Sequence, residues 1–164
     1  MKLMAEKKGP RDKVDELLFV RKNGTSTRCQ LPRQGTLPHD LIHYVVESNL
    51  PLENGFLGLV ASGSDAEFVL KIVHDRVNPN VRAEAVQVES IVEALQTQLW
   101  AGAFDEASFL EAAALAAASR GKPPFDFEGF SSRELYEQCL RLLNQWSMVP
   151  HFGKMELEFI AGES

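Results

Sequence analysis

Glu16-Leu17-Leu18-Phe19-Val20-Arg21-Lys22-Asn23-Gly24-Thr25-Ser26-Thr27-Arg28-Cys29-Gln30-Leu31 is the stretch on which the fold turns. Two strand-favouring runs flank Asn23-Gly24, and Asn-Gly supplies the two positive-φ residues of a type I′ turn. These residues predict a hairpin in which Val20 faces Thr27 and Leu18 faces Cys29, one face being apolar. Pro32 and Gly35 end the second strand.

At the far end of the chain Met155, Leu157 and Phe159 alternate with Glu156 and Glu158, the period-two pattern of a half-buried strand. The two ends are therefore β and the middle is helical. An α+β fold follows: a small antiparallel sheet of the N-terminal hairpin plus the C-terminal strand, packed by four or five helices. Val20, Cys29 and Leu157 are expected on the helix-covered face. Residues 1–13, with Lys2, Lys7, Lys8, Arg11 and Lys13, precede the first periodic segment and are expected to form a flexible tail. Residues 14–164 then make a single α+β domain.

Between the β segments, Thr36 or Leu37 opens a helix with Pro38 in its first turn, and Pro51 closes it. Gly55 to Gly63 predicts a short helical turn or buried loop. Ser64-Asp65-Ala66-Glu67 and Ser131-Ser132-Arg133-Glu134 are capping boxes, and Asp105 can cap a third helix. Val88, Ile91, Val92, Leu95 and Leu99 recur at helical spacing. The run Ala112 to Ala118 favours helix and close helix approach.

The bulk composition narrows the function classes. A chain of 164 residues with 45% apolar content can bury one core without disulfides. A net charge of −6 argues against a dedicated nucleic-acid binder, which needs clustered Lys and Arg. No apolar run approaches the roughly 20 residues of a membrane span, and no apolar segment follows the N-terminal lysines. Cys29 and Cys139 follow no metal or redox spacing, so a reduced, cytoplasmic protein is expected.

Chemistry is concentrated in Leu37-Pro38-His39-Asp40-Leu41-Ile42-His43-Tyr44-Val45-Val46-Glu47. His39, His43 and Glu47 recur every fourth residue and share one helical face. Side chains four apart have Cβ atoms about 6 Å from each other, close enough to chelate one divalent ion such as zinc. Glu47 is about 12 Å along the axis from His39, so a site would pair His39 with His43, or His43 with Glu47. Further ligands would come from elsewhere: Glu53, Glu67, His74 or Asp75. Arg33, between Pro32 and Gly35, is expected to pair with Asp40 or Glu47 and to close a polar pocket with the histidines and His74. Against this stands a structural reading: a first-turn Asp40 complements the helix dipole, and His43 among Leu41, Ile42 and Val45 can serve the core edge.

His39-Asp40-Leu41-Ile42-His43 resembles the HDxxH metal motif of the Coq4 proteins of ubiquinone biosynthesis. That motif continues to a Glu where this chain has Gly55. The likeness covers these five residues and departs from the family at that position, where the nearest acid in sequence is Glu53, so the family's function is not carried over. The longer segment Leu31 to Glu47, a PRQGxLPHDLxHYVVE-like run, is similar to one in small uncharacterised bacterial proteins, which implies a family and no activity.

No nucleophile elbow, Walker loop or dinucleotide fingerprint is present. Phe125, Phe127 and Phe130, with Trp100 and Trp146, belong either to the core or to a patch for a protein partner. The expected function is a non-catalytic interaction or accessory protein. The alternative is a metal-dependent, hydrolase-like enzyme built on His39 and His43.

Overall fold

β2 (Val14–Val20) and β3 (Ser26–Pro32) pair antiparallel, as Asn23-Gly24 predicts, but through a different turn. Gly24 N–H donates to the Arg21 carbonyl at 3.0 Å, and Arg21 N–H to the Thr25 carbonyl at 2.9 Å. Only Gly24 in this loop has positive φ, at 85°. The loop is thus a type I turn followed by one left-handed glycine, which is a residue longer than a two-residue hairpin turn. Pairing shifts by one: Phe19 faces Thr27 and Leu17 faces Cys29. Because side chains alternate strictly along a strand, a one-residue slip exchanges the faces. Leu17 and Phe19 are buried, and Val20 is on the outer face, half-buried.

The expectation of a flexible tail is corrected by the same sheet. The computed structural model describes residues 1–75 and 81–161, and in it β1 (Lys2–Glu6) is an inner strand. Lys2-Leu3-Met4-Ala5-Glu6 alternates in the strand period, with Leu3 and Ala5 buried against the helices. The described sheet has four strands in the order β3-β2-β1-β4, where β4 is Lys154–Glu158. The C-terminal strand therefore lies beside β1, with Leu3 opposite both Phe19 and Leu157, and not beside the hairpin. Leu157 is on the helix-facing side but only half-buried, because β4 is an edge; Cys29 is buried as expected.

Six helices lie among the described residues: α1 (His39–Asn49), α2 (Phe56–Ala61), α3 (Ala66–His74), α4 (Ala83–Ala101), α5 (Glu106–Ser119) and α6 (Ser132–Ser147). The chain is an α+β domain with one face of the sheet covered. α1 packs between β3 and α4, burying Leu41, Ile42, Val45 and Val46. From α2, the Phe56 ring meets Phe19 edge-on at 5.7 Å. Ala113 and Ala117 of α5 are buried, and small side chains there let α5 approach α4 closely. No described helix is long and apolar enough to cross a membrane.

Caps place α3, which matters for the site. Its N-cap is Asp65, one residue beyond the expected Ser64, accepting from Phe68 N–H at 3.0 Å. Thr27 of β3 donates its hydroxyl to Asp65 at 3.0 Å and accepts Ala66 N–H at 3.1 Å. Arg21 donates to the carbonyls of Val60 and Ser64, each at 2.7 Å. α3 is thereby tied to the hairpin at its start, and its last residue is His74. Asp105 and Ser131 cap α5 and α6 as predicted. Phe127 meets both Phe125 and Phe109 edge-on, and Trp146 is buried, whereas Trp100 is exposed and donates to the Gln34 carbonyl.

Candidate metal centre

α1 presents His39 and His43 toward α4, and α4 answers with Glu89, which is 4% exposed. Glu89 Oε1 stands 3.0 Å from His39 Nε2 and 3.3 Å from His74 Nε2, while Oε2 stands 3.0 Å from His43 Nε2. Three imidazoles from two helices therefore converge on one buried carboxylate. Burial alone would raise the pKa of Glu89, but the three histidines outweigh it and hold it well below the usual carboxylate range.

His39 is oriented from behind. Its Nδ1 is 3.0 Å from Gln96 Oε1, an oxygen that only accepts, so Nδ1 donates there and Nε2 points into the cluster. His43 is fully buried and spans two carboxylates, with Nδ1 3.0 Å from Glu47 Oε2. Burial opposes its charge, yet Glu47 and Glu89 together push its pKa up to about 10. Glu47 in turn accepts Leu57 N–H at 2.9 Å and Gly58 N–H at 3.2 Å, capping α2 from outside, since α2 has no side-chain cap of its own.

Among the described residues, His39, His74 and Glu89 each offer one ligand atom, all within 4.8 Å of one another. In a tetrahedral zinc site, with bonds of about 2.0–2.1 Å, neighbouring ligand atoms stand about 3.3 Å apart. The separations about Glu89 Oε1, 3.0 and 3.3 Å, are near that spacing, and the third pair, His39 with His74, lies within 4.8 Å. Two imidazole nitrogens and one carboxylate oxygen also suit the ligand preferences of zinc. His74 is half exposed and His39 partly so, so the ligand atoms open toward solvent on one side. There they border two clefts. One, of about 390 Å³, lies between α3 and β3 with Leu70, Lys71, Cys29 and Pro32 on its walls. The other, of about 370 Å³, has Glu93, Gln96 and Arg120.

The structure regroups the residues that the sequence singled out. His39 and His74 come together, but His43 and Glu47 stand behind the cluster, because Glu89 occupies the space between His43 and His74. Asp40 is buried next to the Cys29 thiol at 3.7 Å, and burial raises its pKa. Arg33 does not reach Asp40 or Glu47. It makes a bidentate pair with Asp15 of β2, at 2.7 and 3.0 Å, and also donates to the Lys8 and Gly9 carbonyls. The reason is that Asp15 faces the covered side of the sheet, where Arg33 at the end of β3 is its nearest cation. Glu89 was not singled out. Its signal was a carboxylate on the apolar stripe of α4, spaced with Ala85 and Val92.

No protein-family model, curated protein or solved structure matches this chain.

Proposed function

We propose that the chain is a metal-dependent enzyme whose divalent ion, zinc by its ligand set, is held by His39, His74 and Glu89. The observation that carries this reading is the convergence of those three ligand atoms within 4.8 Å of one another, beside open clefts. Three protein ligands with one side open is the arrangement of catalytic zinc, whereas structural zinc is enclosed by four. When bound, the ion supplies Lewis acidity to a substrate carbonyl or phosphoryl oxygen, which places the reaction among hydrolase-like chemistries. Gln96, 3.0 Å from Nδ1, orients the His39 ring so that Nε2 faces the ion. Leu70 and Pro32 offer an apolar wall to the substrate body. The accessory-protein reading has its own feature, a separate cleft of about 430 Å³ between α4, α5 and residues 124–128, but that cleft contains no metal-binding histidine or cysteine.

The test is elemental analysis and equilibrium dialysis of the purified chain. About one zinc per chain, lost in both His39→Ala and His74→Ala, is the expected result. Stoichiometric iron with no zinc would move the reading from hydrolysis to oxygen chemistry, since two His and one carboxylate also suit ferrous sites. Wild-type protein that retains no divalent metal would end it.

A further inference from the structure

Glu89 has two oxygens, and the chain uses them differently. Oε1 faces His39 and His74, the two histidines nearest solvent, and Oε2 is taken by His43 Nε2 at 3.0 Å in a fully buried contact. His43 cannot swing away from it. Its other ring nitrogen is 3.0 Å from Glu47, and Glu47 is fastened by the N–H groups of Leu57 and Gly58 at the start of α2. Phe56 packs across the His43 ring, with centroids 5.4 Å apart. Position 55 leaves the Glu47 carboxylate its room, because a Cβ on Gly55 would come within 2.6 Å of Glu47 Cδ.

From this geometry we infer that His43 is a positioning residue that reserves Oε2 of Glu89, leaving only Oε1 for the ion. This rests on the metal site proposed above. A carboxylate free on both oxygens can chelate and fill an extra coordination position; one held by a hydrogen bond on Oε2 binds through a single oxygen. The consequence is that the ion keeps its open side for substrate. His43 and Glu47, which the sequence offered as ligands, then act through Glu89 and do not touch the ion.

The experiment compares wild type with His43→Leu, His43→Gln and His43→Asn. It measures zinc affinity by competition with a chromophoric chelator and the visible absorption of the cobalt(II)-loaded protein. Leu removes both contacts. Gln places an amide N–H near Nε2 and restores the bond to Glu89, whereas Asn reaches only the Nδ1 position and Glu47. Leu and Asn are expected to weaken zinc about 10–100-fold, the usual cost of losing an outer contact. They should also dim the cobalt spectrum as Glu89 turns bidentate, and Gln should return both properties. A folded Leu or Asn variant with wild-type affinity and spectrum overturns the inference. If Leu does not fold, the Asn and Gln variants decide alone: equal behaviour of the two overturns it, and recovery by Gln only supports it. A wild-type protein that binds neither zinc nor cobalt is a different failure, that of the metal site itself.

Discussion

The carboxylate of Glu47 fills the space that a side chain at position 55 would need. A Cβ on Gly55 would lie within 2.6 Å of Glu47 Cδ and 2.9 Å of Val88 Cγ2. In this chain the acid near that place is Glu47, and it serves His43 and the start of α2.

Gly55→Ala is therefore expected to destabilise the protein by about 1–3 kcal/mol, the cost of overpacking a tight site. Urea unfolding reads this directly. Repeating the substitution on a Glu47→Ala background should recover part of the loss, because the clashing carboxylate is gone. Additive effects of the two changes would contradict the contact.

Zinc should raise the melting temperature of the wild type. At a free concentration of one hundred times Kd the stabilisation is about 2.7 kcal/mol. His74→Ala should abolish this shift while leaving the metal-free melting temperature nearly unchanged, since His74 is half exposed and contributes little to the core. A zinc shift that survives His74→Ala would place the ion elsewhere.

Asp15 and Arg33 set an acid limit on stability. Burial alone would raise the pKa of Asp15, but the Arg33 guanidinium and the Lys8 N–H outweigh it and hold it below the ordinary value. A carboxyl depressed in the folded state contributes stability that is fully present above its unfolded pKa, about 3.9, and is lost as pH falls through the folded pKa. Asp15→Asn is expected to cost on the order of 2 kcal/mol at pH 7, the worth of hydrogen bonds to a charged group. The gap from wild type should narrow as pH drops below about 4. Urea midpoints for both proteins at neutral and acid pH provide the check, and a gap that does not change with pH would exclude the pair as its source.

Both cysteines should be silent toward a thiol reagent in the native protein. Burial pushes the Cys139 thiol up to about 12, and burial together with the adjacent Asp40 carboxyl pushes Cys29 higher still. Thiolate, the reactive form, is then scarce at neutral pH, and both cysteines are buried. Titration with a disulfide dye should find no thiol before denaturant is added and two afterwards. Rapid native labelling of Cys29 would show that the cleft beside it opens.

Local sequence by itself determined the helices whose caps and periodicity agree, such as Asp105 before α5 and Ser131 before α6, along with the hairpin at Asn23-Gly24. Those signals act over a few residues, where side-chain oxygen meets backbone N–H or glycine permits a left-handed turn. Local sequence also brought out the histidines of α1, because a four-residue spacing is a property of one helix. Tertiary structure decided the rest. One added loop residue turned Leu17 and Phe19 inward in place of Val20, and the lysine-flanked Lys2–Glu6 became a strand only because β2 and β4 pair with it on either side. The residues that join His39 in the cluster are 35 and 50 residues away, His74 at the end of α3 and Glu89 in the middle of α4. A carboxylate on an apolar stripe is costly unless something pairs with it. What paired with Glu89 could be known only once three helices had packed.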